Sequence, residues 1–164
     1  MKKVVLMGVL SALLGLLGCD QAAFDKLEEG VSTEADVRRE LGEPLTEFDD
    51  GGGVRTLEYP RQPEGHRNYM ITIGPNGKMT ALRQVLGPPY FAKVQPGLGK
   101  EEVRRILGRP AKVVPYELKK ETEWEWKFLD GNQTKFFVVT FNSRGQVVKT
   151  AELAEPSPNA PAGK

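Results

Sequence analysis

One cysteine and one histidine among 164 residues exclude most of the chemistry a chain of this size can carry. With Cys19 alone, no intramolecular disulfide can form. With His66 alone, in the Pro63-Glu64-Gly65 loop, no Ser-His-acid, Cys-His or zinc-ligand spacing can be built. No apolar run reaches the roughly 20 residues of a membrane-spanning helix. No charge of one sign dominates either: 23 basic side chains stand against 22 acidic ones, and no polybasic stripe appears. Phosphate-rich partners need a cationic excess, so nucleic acid is excluded as the expected partner. Gly97-Leu98-Gly99 lacks the third glycine of a dinucleotide loop. Asp49-Asp50 before Gly51-Gly52-Gly53 lacks the spaced oxygens of a calcium loop and reads as a hairpin tip. Asn132-Gln133-Thr134 reads as a turn. The expectation is a protein with no catalytic residue, metal site or cofactor.

The chain opens with Lys2-Lys3, then fifteen apolar or small residues from Val4 to Gly18. A basic start, a short apolar centre and small residues at its end have the form of an export signal. The stretch closes on Leu16-Leu17-Gly18-Cys19, which resembles a bacterial lipobox. That resemblance implies cleavage after residue 18 and acylation of Cys19, an N-acyl diacylglycerol anchor that consumes the lone thiol. Two of the 23 basic residues precede Cys19, which leaves 21 against 22 acidic ones and a net charge of −1. The membrane would then be held by acyl chains. In enteric bacteria an aspartate after the cysteine, here Asp20, favours inner-membrane retention, so the membrane that holds the anchor stays open.

Val37-Arg38-Arg39-Glu40-Leu41-Gly42-Glu43-Pro44 returns as Val103-Arg104-Arg105-Ile106-Leu107-Gly108-Arg109-Pro110. The octet is the brightest part of a longer repeat. Phe24 to Gly30 pairs with Phe91 to Gly97, Arg55 to Tyr59 with Thr122 to Trp126, and Ile71 to Ile73 with Val139 to Phe141. The turns Gly74-Pro75-Asn76-Gly77 and Asn142-Ser143-Arg144-Gly145 coincide, with an offset that stays between 66 and 68 residues. A whole folding unit is duplicated. The reading divides the chain into a signal (1–18), a lipidated linker (19–23), a first unit (24–87), a second unit (88–153) and a disordered tail (154–164), with Gly87-Pro88-Pro89 as the seam.

Each unit starts with helix signals. Thr33 can cap a helix whose first turn carries Glu34 and Asp36, Val37 and Leu41 share a face, and Gly42 and Pro44 stop it. Gly99 is a weaker cap for the second copy, which ends at Gly108 and Pro110. Strands follow: Trp124, Trp126 and Phe128 alternate with Glu123, Glu125 and Lys127, a period of two. Leu45 to Phe48 and Lys112 to Tyr116 offer first strands, and Met79 to Leu86 and Val147 to Leu153 offer return strands after hairpin turns. The fold class is therefore α+β, a tandem repeat of short helices followed by a three- or four-stranded antiparallel meander. Phe136 to Phe141 is so apolar that coverage on both faces is expected, with the two units sharing a core or a continuous sheet.

The pattern G-x-[ST]-x-x-x-V-x-x-x-L-G-x-P, then an aromatic-rich strand, then a strand ending in a glycine turn, resembles the SmpA/OmlA family of BamE-like lipoproteins. Gly30, Ser32, Val37, Leu41, Gly42 and Pro44 carry it, with Tyr59, Ile73 and Gly77. In the second copy they are Gly97, Val103, Leu107, Gly108, Pro110, Trp126, Phe141 and Gly145. Members of that family carry one unit, and this chain carries two. Its second unit has Leu98-Gly99 where the Ser/Thr stands. A tandem pair is similar to the β-lactamase inhibitor protein, whose concave sheet grips an enzyme. What the resemblance implies is a non-catalytic lipoprotein of the cell envelope, facing the periplasm. It would touch protein partners in or beside the machinery that assembles outer-membrane β-barrels, with anionic lipid as a further contact. The family points to the outer membrane and Asp20 to the inner one. The alternative is a tandem-repeat binder or inhibitor of a periplasmic enzyme.

Candidate contact residues follow from exposure and charge. Arg38, Arg39, Arg104 and Arg105 lie in the last turns of their helices, where they offset the negative dipole end and are also placed to meet an acidic or phosphate partner. Their i, i+1 spacing aims each pair in two directions. Trp124 and Trp126 fit a core face or a binding platform. Tyr90, Phe91 and Tyr116, beside prolines, are surface candidates, although Tyr90-Phe91 could pack the second helix as Phe24 packs the first.

Overall fold

A computed structural model describes residues 19–155. The signal segment 1–18 and the tail beyond Glu155 lie outside the described residues. Each half starts with helices, α1 (Cys19–Phe24) and α2 (Glu34–Leu41) in the first, α3 (Pro88–Phe91) and α4 (Lys100–Leu107) in the second. Then come β1 (Thr46–Gly51), β2 (Val54–Pro60), β3 (Asn68–Ile73) and β4 (Met79–Gln84), matched by β5 (Lys112–Tyr116), β6 (Glu121–Asp130), β7 (Gln133–Phe141) and β8 (Val147–Ala154). The strands form two separate antiparallel meanders in the orders β1-β2-β3-β4 and β5-β6-β7-β8.

The helices begin and end where the residues dictate. The Thr33 hydroxyl accepts from the Asp36 N–H at 3.2 Å, and Asp36 accepts from the Thr33 N–H at 2.9 Å, a reciprocal cap. Gly99 has no side chain to offer, so α4 keeps only half of that device, the Gly99 N–H donating to Glu102 at 2.7 Å. Both helices stop at a glycine with φ near +80° and extended ψ, +81° and −165° at Gly42, +74° and −170° at Gly108. That region is open essentially to glycine alone. Correspondences continue at the far end of each sheet, where a register shift falls before Ile73 in β3 and before Phe141 in β7. Thr33 bridges to Lys78, and Gly99 to Gln146.

Each sheet buries one face under its own helices. In the first half Phe24, Val37, Leu57, Tyr59, Tyr69, Ile71, Ile73 and Met79 form the core. In the second, Phe91, Val103, Leu107, Trp126, Phe128, Phe137, Val139, Phe141 and Val147 do. Phe24 stacks on Tyr69 with centroids 3.8 Å apart, and Phe91 on Phe137 at 4.1 Å. The period of two along β6 thus marks an inner face: Trp126 is fully buried and Trp124 packs against it and against Phe141.

As its apolar run leads one to expect, β7 is buried on both faces from Phe137 to Phe141, with Val138 and Thr140 on the side away from the helices, and so is β3. On the second face of β3 Asn68 and Met70 are buried, because the end of α4 lies there. Phe48, Met70 and Val85 gather with Tyr90 into a third apolar cluster that joins the halves. On β7 the corresponding Phe136 and Val138 join none of the three clusters, and no continuous sheet forms. An apolar run reports low polarity on both sides of a strand, but which strand receives a neighbouring helix depends on how the halves are set together.

Candidate functional site

The second copy of the octet is an internal docking device. Arg104 donates from Nη2 to Glu58 Oε2 at 3.0 Å and to Thr46 Oγ1 at 2.9 Å. The Arg109 N–H donates to Glu58 Oε1 at 2.6 Å. Asn68 Nδ2 donates to the carbonyls of Leu107 at 2.8 Å and Arg109 at 2.9 Å, which the helix end leaves without intrahelical partners. Glu58 is fully buried, so its charge is tolerable only because both oxygens are engaged. Arg105 pairs with Asp50 at 3.1 Å and lies 4.7 Å over the Phe48 ring. Arg104 and Arg105 therefore hold the second half onto the first sheet.

The first copy faces solvent. Arg38 donates to Glu34 at 2.8 Å and Glu47 at 2.6 Å and also touches Glu43. The Glu47 and Glu34 carboxylates raise its pKa further above the ordinary arginine value. Burial pushes Glu34 up, but hydrogen bonds from Arg38 and Arg55 outweigh it and its carboxyl lies below the usual range. Arg39 pairs with Asp36 at 2.7 Å. The four arginines thus serve four different surroundings and no common anion clamp. Gly42 is exposed, whereas its counterpart Gly108 is buried against Asn68, Glu58 and Met70 of the first sheet.

The aromatic candidates separate. Phe91 is core, 5% exposed. Tyr90 is half-buried beside the third cluster, with Lys93 Nζ 4.6 Å over its ring. Tyr116 is 39% exposed and stands at the rim of the second sheet, where the Glu123 carboxylate raises its hydroxyl above the ordinary value. Cys19 opens α1. Sequence reasoning missed Leu118, fully exposed on the 3-10 turn Glu117–Lys119 where the first half has its glycine tip. It also missed Glu58 and Asn68; Glu58 sits between Leu57 and Tyr59 with the alternation of a solvent-facing residue.

The face of the second sheet opposite its helices mixes exposed and half-buried side chains around Val138 and Thr140, which are buried at its centre. Cross-strand pairing places Lys112, Val114 and Tyr116 beside Glu125, Glu123 and Glu121. It places Val138 between Glu125 and Ala151 of β8, and Phe136 between Lys127 and Leu153. Leu153, Leu129 and Lys149 are exposed, and the Glu125 carboxylate makes no hydrogen bond or ion pair among the described residues. The loop after β2 flanks one end. The Gln62 amide bonds both the N–H and the carbonyl of Lys127, at 3.2 and 2.7 Å, and His66 Nε2 lies 3.1 Å from Thr134 Oγ1. Burial, then the Lys127 charge, holds the His66 imidazole below its ordinary value. The ring contacts a hydroxyl and no carboxylate, which is not the arrangement of a general base.

A groove of about 460 Å³ lies where the halves meet, lined by Phe48, Asp49, Lys100, Arg105 and Trp124 among others. It mixes both signs of charge and lacks a convergent polar set. Among the described residues no group of three His, Cys, Asp or Glu could hold a metal ion, and no helix is long and apolar enough to cross a membrane.

No family model matches the chain, and no curated protein matches it. Solved structures do. One is a chain characterised as an osmotically inducible lipoprotein, OsmE, 26% identical, with a TM-score of 0.37 over 40% of this chain and 76% of that one. Another is a DUF4309 family protein, YjgB, from Bacillus subtilis subsp. subtilis str. 168, 15% identical, with a TM-score of 0.32 over 84% and 93%. A third, from Streptococcus mutans and assigned as a β-lactamase inhibitor protein, is 12% identical, with a TM-score of 0.35 over 82% and 94%.

Proposed function

We propose that this chain is a non-catalytic cell-envelope lipoprotein that works by protein–protein contact, in or beside outer-membrane β-barrel assembly. One observation carries the binding role: the open face of the second sheet. It presents Val114, Phe136 and Leu153, with Val138 buried between them, around a half-buried residue, Glu125, whose carboxylate makes no hydrogen bond or ion pair among the described residues. An apolar centre rimmed by charge is the anatomy of an interface. The Leu16-Leu17-Gly18-Cys19 stretch supports the anchor, and the repeated SmpA/OmlA-like pattern supports the assembly context.

The inhibitor reading asks for a broad aromatic platform on the open face. Trp124, Trp126, Phe137 and Phe141 instead pack inward, which favours the scaffold reading.

Two measurements test the proposal. Labelled palmitate should enter the wild-type protein and not the Cys19→Ser variant. Recovery of the native protein from mild detergent should bring barrel-assembly subunits with it; eluates free of any such subunit count against the assembly role, and an unlabelled wild type counts against the anchor.

A further inference from the structure

We propose that the open face of the second sheet receives the α2–β1 corner of a second copy of this chain, so that copies associate head to tail. The template is inside the molecule. The corner after α4 docks on the first sheet through Arg104 to Glu58, Arg105 to Asp50, and Gly108 against Asn68, Glu58 and Met70. Because the chain is duplicated, each side of that contact exists twice, and one of each remains unused. The corner after α2 carries Arg38, Arg39 and Gly42 at the places of Arg104, Arg105 and Gly108. A Cβ built at Gly42 meets nothing within 4 Å, whereas one at Gly108 meets Asn68 Nδ2 at 3.0 Å. Leu45 is 48% exposed on the same corner.

On the receiving side, Glu125 stands at the place of Glu58, Val138 at that of Met70, Val114 at that of Phe48 and Leu153 at that of Val85. The apolar floor and its central carboxylate are kept. Asn68 is replaced by Phe136, so helix-end carbonyls lose one amide donor and apolar contact takes its place. Charge agrees as well: the exposed Arg39 would lie beside Tyr116 and Glu123, the exposed Glu43 would meet Lys112, and Arg38 would exchange one of its own carboxylates for Glu125. Such a contact joins two different patches, so it is heterologous and propagates beyond a dimer unless a ring closes.

In-cell cysteine crosslinking of the full chain tests it. Arg39 and Tyr116 hold the places of Arg105 and Asp50, which touch at 3.1 Å within the chain. Arg39→Cys and Tyr116→Cys, expressed as two separate variants in one cell and treated with a bismaleimide long enough to replace the arginine side chain, should give a crosslinked species of about twice the monomer mass. Each variant alone should give little of it. Together in one chain they should give a ladder of higher multiples. Adding Glu125→Arg should remove most of the linked product while protein level and cell-surface fractionation stay unchanged. No crosslink in co-expression, equal crosslinking by either variant alone, or a Tyr116→Cys product formed only with other proteins overturns the proposal. Loss of barrel-assembly subunits from pull-downs, with the crosslink intact, would instead sink the assembly role and leave self-association standing.

Discussion

Tyr59 and Trp126 perform one task in two halves of the molecule: the Tyr59 hydroxyl donates to the Gly42 carbonyl at 2.9 Å, and the Trp126 indole N–H donates to the Gly108 carbonyl at 2.9 Å. Each ties the glycine that ends a helix to the second strand of the sheet that follows. Burial raises the Tyr59 hydroxyl to about 12, which keeps it a donor throughout the physiological range. Tyr59→Phe removes one hydrogen bond and should cost about 1 kcal/mol in urea unfolding. Trp126→Phe removes the bond and leaves a void in the second core, so about 2–3 kcal/mol is expected. Equal losses for the two would show that Trp126 adds nothing to the core beyond the hydrogen bond.

Glu58 is the buried charge on which the junction of the halves turns. Glu58→Ala strands the Arg109 N–H and loosens Arg104, with an expected loss of about 2–4 kcal/mol by denaturant midpoint. Arg104→Ala leaves a buried carboxylate with one partner fewer and should cost a similar amount. The double variant should lose clearly less than the sum, and simple additivity would deny the pair its coupling.

Gly42 and Gly108 share a backbone conformation and differ in surroundings. Gly42→Ala should lose about 1–3 kcal/mol through the backbone alone. Gly108→Ala adds a Cβ 3.0 Å from Asn68 Nδ2 and 3.3 Å from both Glu58 Oε1 and Met70 Cε. It should be the more damaging substitution, visible as the lower midpoint in thermal unfolding followed by circular dichroism.

Asp36 titrates at about 2 in the folded chain, held down by the Thr33 N–H, then the Thr33 hydroxyl, then Arg39. Its unfolded value is about 3.9. A depressed carboxyl contributes stability above the unfolded value and loses it as pH falls toward the folded one, so its contribution should fade between about pH 4 and pH 2. Asp36→Asn should flatten the wild-type stability profile across that window. A carboxyl resonance titrating near 4 in the folded protein would contradict the assignment.

Much of the architecture was legible because it is written in local chemistry. Thr33, Gly42 and Pro44 mark a helix by capping and backbone restriction, and Asn76-Gly77 and Arg144-Gly145 mark the hairpins by left-handed turns. Alternation along Glu123 to Phe128 places Trp126 inward without any knowledge of the partner helix. Arg38 and Arg104 look identical in the octet. One is satisfied by its own helix and β1, and the other by a buried carboxylate 46 residues away.

The amino-acid order by itself determined the elements, their repetition and the face each strand turns to its own helices, since these follow from periods of two and 3.6 and from residues whose backbone choices are few. Only the tertiary arrangement decided which copy of the octet would be covered, why Glu58 is buried while its counterpart Glu125 keeps an open side, and which sheet retains a free face. Local rules are the same in both halves, and one helix end can dock only once within a single chain.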